Sequence, residues 1–428
     1  MNTSYFHNSV KIRFNKNKIV SLTLEDGSRT FDPPSIKAEA VNFFHKILNN
    51  NSSNYPWRHH LSQFITKRIS DTQKASLTAR VSSNEVQAAF FSIHPNKAPG
   101  PDGFNGYFYR KGWHIVGEDL VQAIQFFFDT GRLLREINHS SISLVPKIPN
   151  PSKVSDYRPI ACCNTIYKCI SKILANRIKP ILPRLIDKAQ ATFIHGRSIS
   201  DNIFLAQELL KNYHRKDTST RCAIKVDIQK AFDTIRWDFI LDLLCSLGFP
   251  PKFVQWIQAC ITSPKFSISI NGELEGFFGS ARGLRQGDPL LPFPFVMAMD
   301  VLSMIIQKKV NEANHFVYHW RCESLQLMHI CFVDDLLLFC GGSLEAATTL
   351  KSSMDEFFSF SGMEANPSKS AILLASQHPS FCSSIQGIFG FPLGSLPIKY
   401  LGVPLLSTSL TVADCKILID NLMARIKS

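Results

Sequence analysis

The sequence predicts an α+β fold, a sheet with helices laid on one side, and three observations carry that prediction. Strand-like and helix-like segments alternate irregularly and without a fixed-period repeat, which argues against a doubly wound parallel sheet. A chain of 428 residues with 45% hydrophobic and 19% charged residues has globular composition and room for two or three domains or subdomains. Finally, residues 329–339, HICFVDDLLLF, set Asp334 and Asp335 between two apolar runs with the make-up of buried strands. The pair therefore sits at a hairpin tip. Two carboxylates ~5 Å apart repel by roughly 3 kcal/mol at an effective dielectric of 20, so a cationic partner is expected beside them. Taken alone, the pair is also explained by the preference of Asp for turns.

The elements follow in order. KIVSLTLEDGSRTF (18–31) reads as a hairpin turning at Asp26-Gly27, and IKAEAVNFFHKIL as a helix, followed by a Ser/Asn-rich loop at 49–54. These belong to a peripheral N-terminal extension, 1–84. Ser82 with Glu85 suggests a capping box ahead of VQAAFFSI, and NKAPGPDG (96–103) a rigid loop. Residues 115–137 have amphipathic helical spacing, and SISLVPKI is a strand ending at Pro146-Lys147. A long helix is expected from near Ile160 to a break at Pro180, decorated by Lys168, Lys172, Arg177 and Lys179. CAIKVDI (222–228) reads as a strand, KAFDTIRWDFILDLLCSLGF as a helix stopped at Gly248, and KFSISINGELEGFF as a hairpin turning at Asn271-Gly272. After a Gly-bounded loop and a helix come the Asp-Asp hairpin, a helix at 344–361, NPSKSAILLA and IKYLGVPL.

The 47 basic and 34 acidic residues leave a formal charge of +13, the footprint of a polyanion binder or of a generally basic soluble protein. Eleven Cys without a CxxC pair point to neither a zinc module nor a disulfide framework, which suits a reducing intracellular compartment, nucleus or cytoplasm. The opening residues MNTSYFHNSVKIRFNKNKIV hold no apolar run of signal-peptide length, so no signal peptide is expected there. LLPFPFVMAMDVLSMII (290–306) is too short and too interrupted for a membrane span, so no membrane segment is expected.

Asp227 ends the apolar strand CAIKV. If that strand lies beside the Asp334/Asp335 hairpin, three carboxylates meet at one sheet edge and suit hard divalent cations with oxygen ligands. Two Mg²⁺ ions ~3.5–4 Å apart would then serve in-line phosphoryl transfer, with Mn²⁺ as an alternative.

The blocks NKAPGPDGFNGYFYRKGW, SISLVPKIPNPSKVSDYRPIACCNTIYKCISKILANRI, QATFIHGRSISDNI, KVDIQKAFDTIRWDFI, GLRQGDPL, FVDDLLLF, NPSKS and YLGVPL strongly resemble the reverse transcriptases of plant non-LTR (LINE-type) retrotransposons. They occur in the family's order over residues 85–405. The resemblance implies a right-hand polymerase: fingers in 85–220, a ferredoxin-like palm with the primer grip in 221–405, and the truncated start of a thumb in 406–428. It implies an RNA template, a DNA primer and deoxynucleoside triphosphates as partners. Asp227, Asp334 and Asp335 match the catalytic metal ligands, and Phe232 the aromatic that crowds the sugar 2′ position. Lys147 and Arg158 match fingers residues that meet the triphosphate, where a guanidinium fork suits phosphate oxygens. Gln286 and Gly287 match the loop lining nucleotide and template. Lys369 resembles the lysine that protonates the leaving pyrophosphate, and it reads equally as a surface lysine. Tyr400, Leu401 and Gly402 fall in the element that grips the primer end.

The chain also departs from the family pattern. Val333 stands where a small residue is usual, and Leu291-Pro292-Phe293-Pro294-Phe295 replaces Ser-Pro-aromatic-Leu-Phe after GLRQGDPL. A proline past the first turn of a helix costs ~3 kcal/mol. The upstream endonuclease, complete thumb and downstream modules of the family find no counterpart, so the chain reads as a polymerase core. A catalytically decayed retroelement remnant, or a non-catalytic protein that binds nucleic acid, is the alternative. A group II intron maturase is a third reading, which would require a maturase domain after the palm. Nothing in the sequence speaks to oligomeric state.

Overall fold

The computed structural model describes residues 4–49, 60–215, 220–313, 315–375 and 378–408, with isolated positions in the C-terminal tail. The loop expected at 49–54, beyond Asn49, and most of 409–428 lie outside the described residues. Helix α1 (Ser4–Asn17) leads into the hairpin β1 (Leu22–Thr23) and β2 (Arg29–Thr30), then α2 (Pro33–Asn49), α3 (Asp71–Thr78), α4 (Ser83–Ser92), α5 (Gly106–Lys111) and α6 (Trp113–Thr130). Next come β3 (His139–Pro146), β4 (Tyr157–Cys163), α7 (Thr165–Ile178), α8 (Leu182–Leu185), α9 (Ile199–Leu210) and β5 (Arg221–Val226). They are followed by α10 (Ala231–Thr234), α11 (Trp237–Ser246), α12 (Pro251–Thr262), β6 (Lys265–Ile270), β7 (Glu273–Gly279) and α13 (Pro292–Glu312). The described chain closes with β8 (His329–Phe332), β9 (Asp335–Gly341), α14 (Leu344–Ser361), β10 (Ala371–Leu374), α15 (Pro379–Phe389), β11 (Ile398–Tyr400) and β12 (Val403–Leu405). The mixture of helices and sheets is α+β. No described helix is long and apolar enough to cross a membrane, and the described cysteines are all free.

The residues form two compact units that interleave in sequence. The first comprises Met1–Pro56, Ile69–Pro180 and Phe232–Phe293. Its sheet has the order β4-β3-β6-β7, antiparallel except for the parallel pair β3 and β6. Helix α2 buries Ile36, Ala40, Phe44 and Leu48, one stripe at four-residue spacing, against β6 and β7. Ile19 and Leu22 join the same core with Ile142, Phe266 and Ile268. The N-terminal segment is therefore a core layer of this unit and not the peripheral extension expected. Residues 157–163, taken from sequence as the approach and start of a long helix, are instead strand β4, paired along its whole length with β3. The helix begins only at Thr165, after Asn164. At Ser82 the cap is present, its Oγ accepting from the Glu85 N–H at 3.2 Å. The Glu85 carboxylate, however, takes Arg177 of α7 at 2.8 and 2.9 Å, which ties α4 to α7. The helix expected across 230–249 is two, broken at the extended Arg236 between α10 and α11.

The second unit comprises Trp57–Arg68, Ile181–Ala231 and Pro294–Ser428. Its sheet has the order β10-β5-β9-β8 with every neighbouring pair antiparallel. Numbered within the unit this is 4-1-3-2, the strand order of a βαββαβ sheet. Leu337, Phe339, Ala223 and Leu373 pack one core with Leu209 and Leu210 of α9. Pro294 is only the third residue of α13, in the first turn, where the N–H that proline lacks would have no intrahelical partner in any case, so the cost of a mid-helix proline does not arise.

Candidate active site

The carboxylates of the second unit are brought together by strand register. The β5–β9 ladder ends with Val226 opposite Leu336, so one further step sets Asp227 opposite Asp335. On the other side Phe332 pairs with Asp335 across a turn of only Val333 and Asp334. All three carboxylates thus stand at one end of the sheet. Burial lifts the Asp334 carboxyl to about 6, and the charges of Asp335 and Asp227 add to the rise. Burial also raises Asp335; Lys225 draws it back down, while Asp227 pushes it up. Lys225, on β5 and tied through Nζ to the Lys399 carbonyl at 2.8 Å, is a nearby cation of the chain itself that the sequence reading did not single out.

Two loops hold this arrangement. The NPSKS segment clasps the Asp227 backbone: Asn366 N–H donates to its carbonyl at 2.7 Å, and its own N–H donates to Ser370 Oγ at 3.1 Å. Lys369 lies exposed between these two anchors. The QATFIHGRSISDNI segment braces β8, which is otherwise an edge strand. Cys331 N–H donates to Ala189 O at 2.9 Å, and Asn202 Nδ2 to Cys331 O at 3.0 Å. Thr192 Oγ1 accepts the Val333 N–H at 2.7 Å. That bond holds Val333 at φ 60°, a left-handed conformation that a β-branched residue avoids.

The donor set is three hard carboxylates whose mutual repulsion a divalent cation would relieve, so their donor chemistry suits such an ion. Among the described residues no group of three or more His, Cys, Asp or Glu side chains is placed to hold a metal ion. The site is a set of adjacent, repelling carboxylates, which a cation would have to draw inward. The β11–β12 hairpin turns at Leu401 and Gly402, both at positive φ. Tyr400 is buried in the core, leaving Lys399 and Gly402 as the exposed residues of that hairpin.

The remaining predicted site residues belong to the first unit. Lys147 follows β3 and Arg158 lies on β4 opposite Val145, so both stand on the exposed face of one hairpin. Ala161 of β4 donates its N–H to Gln286 O at 2.8 Å, and Leu284 N–H donates to Phe232 O at 2.6 Å. The 284–287 loop therefore links β4 to Phe232. Gly287 is required there: at φ 112° a Cβ would lie 2.9 Å from the Ala161 carbonyl oxygen. Beneath the loop is a cluster that sequence reasoning missed. Arg285 stacks its guanidinium 3.9 Å from the Tyr167 ring centroid, and Tyr167 donates to Asp288 Oδ2 at 2.5 Å. Burial pushes the Tyr167 phenol well up, so it stays protonated as that donor. Tyr167 lies 121 residues from Asp288, so the cluster leaves no local signal in sequence.

Residues 147–405 match the family described as reverse transcriptase (RNA-dependent DNA polymerase), and the chain belongs to that family. It is similar to the transposon TX1 uncharacterized 149 kDa protein of Xenopus laevis, 26% identical over 72% of this chain and 23% of that protein. It is similar also to the retrovirus-related Pol polyprotein from type-2 retrotransposable element R2DM of Drosophila melanogaster, 24% identical over 77% of this chain and 30% of that protein. The RNA-directed DNA polymerase from mobile element jockey of the same organism is 24% identical over 54% of this chain and 26% of its own length. The chain spans less than a third of each of these relatives.

Proposed function

We propose that this chain is the polymerase core of a non-LTR, LINE-type retroelement and extends a DNA primer on an RNA template with deoxynucleoside triphosphates. The observation that carries the reading is the register that sets Asp227 against Asp335 with Asp334 in the adjoining turn, within a chain of this family. The βαββαβ sheet of the second unit is the palm in this reading, and the β3–β4 hairpin with α4 to α7 the fingers. The plant lineage rests on the motif series alone.

Asp227, Asp334 and Asp335 would hold the divalent cations, Mg²⁺ with Mn²⁺ as substitute. Bound there, such ions supply charge neutralisation and acidify the primer 3′-hydroxyl. The other roles belong to the chain itself. Lys147 and Arg158 present cationic donors for triphosphate oxygens. Phe232 crowds the sugar 2′ position, while Gln286 and the bare backbone of Gly287 line the nucleotide. Lys369 delivers a proton to the leaving pyrophosphate, and the Tyr400–Gly402 turn supports the primer end. Of the grounds for the decayed-remnant reading, the one from Pro294 falls away with its first-turn position, while the Leu291 departure still stands.

The test is primer extension on poly(rA)/oligo(dT) with Asp334→Ala as control. Template-dependent extension by the wild type and background signal from the variant are expected. Equal signal from both defeats the enzymatic reading, and salt-sensitive binding without extension by the wild type would establish the remnant.

A further inference from the structure

Helix α5 is amphipathic in an unusual sense. Its inner face buries Gly106 and Tyr109, yet its solvent face, with Phe104 just ahead of it, carries aromatic rings. Phe104, Tyr107 and Phe108 are 45%, 53% and 43% exposed. Within the helix Lys111 follows Phe108 by three residues and Tyr107 by four, which places these three on one side. The Phe104 and Phe108 centroids are 4.5 Å apart, and Lys111 Nζ lies 5.9 Å from the Tyr107 centroid. The pairing is repeated next door, where Arg110 covers the exposed Phe91 at 5.7 Å.

We propose that this face is a stacking platform for single-stranded RNA. The inference rests on the reverse transcriptase reading for the identity of the nucleic acid. Exposed rings interleaved with cations offer π-faces to unpaired bases and charge to the phosphates between them. A duplex hides its base faces in its own stack and gains little from such a surface. The +13 charge of the chain favours an anionic partner over a basic or neutral one, and the exposed rings favour one with unpaired bases. The nearby Asp102 carboxylate is exposed and accepts the Phe104 N–H at 3.1 Å, and along the chain the next acids are Glu118 and Asp119 on α6.

The platform is also fixed in place. Thr165 Oγ1 donates to Phe104 O at 2.7 Å, and Lys168 Nζ to Ala98 O at 2.8 Å. Gly100 presses so closely on Asn164 that a Cβ there would lie 2.4 Å from its backbone nitrogen. The rings are therefore held outward by α7, and little ordering is left to oppose binding.

The experiment measures anisotropy of labelled oligo(rU) and of a blunt RNA duplex with the full chain and with Tyr107→Leu/Phe108→Leu. Leucine preserves apolar area and removes the π-face. Oligo(rU) affinity is expected to fall roughly ten- to a hundredfold while duplex affinity holds within about twofold. Lys111→Gln should flatten the salt dependence by about 0.7 in slope. Unchanged oligo(rU) binding by the double variant overturns the platform, as does equal loss on both ligands. A change in sedimenting mass without a change in RNA binding assigns the face to a second copy of the chain and overturns it too. If the double variant melts early, Tyr107→Leu alone decides by the same criteria. Selective loss of oligo(rU) binding in a chain that cannot extend a primer supports the platform and sinks the polymerase reading. Normal extension with unchanged binding sinks the platform alone.

Discussion

Replacing Arg285 should damage both stability and nucleotide use, and the structure sets the scale. Its guanidinium donates to Ser140 Oγ at 3.1 Å, Asn138 O at 3.4 Å and Cys260 O at 3.0 Å, and it lies 3.5 Å from Asp288 Oδ2. Both members of that pair are buried, so removing one strands the other, at about 3–5 kcal/mol for Arg285→Met. Against a typical total of about 5–15 kcal/mol, that approaches unfolding. Arg285→Lys keeps the charge but loses the fork. With two or three hydrogen bonds gone at roughly 1 kcal/mol each, it should cost about 2–3 kcal/mol. Urea titration should show a lowered midpoint at unchanged slope. Because Gln286 and Gly287 follow directly, the same variant should raise KM for the deoxynucleotide more than it lowers kcat. Adding Asp288→Asn to Arg285→Met should recover part of the lost stability, since the stranded charge is removed. A wild-type midpoint and KM for Arg285→Lys, or no recovery in the double variant, would refute this account of the loop.

Asp300, buried in α13 and raised by burial to about 7, should make stability depend on pH. Its folded pKa exceeds the unfolded value, so its contribution is complete below about pH 4 and lost as pH rises through 7. Asp300→Asn retains an acceptor for the Asp187 N–H, which donates to Oδ1 at 2.8 Å. The variant should therefore gain on the wild type with rising pH, by up to about 4 kcal/mol at pH 8; a pH-independent difference in melting temperature would count against it. Thr192→Val removes the partner of the Val333 N–H and should cost about 1–3 kcal/mol, with a larger fall in extension rate than in melting temperature. Full extension activity in that variant would show that the turn does not need the bond. Lys369→Ala should lower kcat by ~10²–10⁴ at unchanged KM, as removal of a general acid does. A wild-type rate there makes Lys369 a surface lysine.

Local chemistry made several elements legible. The turns at Asp26-Gly27 and Asn271-Gly272 and the helix 344–361, capped by Ser343 and stopped at Gly362 in the left-handed region, all follow from residues within a few positions. The Asp334/Asp335 hairpin was legible for the same reason. Strand β4 was not, because its apolar residues run into α7 with only Asn164 between them. What makes 157–163 a strand is its pairing with β3, a contact no local window contains. Glu85 shows the same limit: its spacing from Ser82 suits a capping box, yet a guanidinium 92 residues away takes the carboxylate. At the candidate site the acids could be named from sequence, whereas Lys225, Thr192 and Arg285 become meaningful only once register and burial are known.

The family blocks around the carboxylate hairpin then acquire separate physical tasks. A turn of two residues, one of them Val333 at φ 60°, with repelling acids beside it, would relax in isolation. The NPSKS loop fixes Asp227 from one side by both its N–H and its carbonyl. The QATFIHGRSISDNI segment works from the other side, covering the edge of β8 and holding the Val333 N–H, while Arg197 Nη2 donates to Ile186 O at 3.0 Å to close that segment on itself. Neither segment contributes a carboxylate to the cluster, and each constrains backbone that does. The acids are held at the sheet end by these two braces, one on each side of the turn.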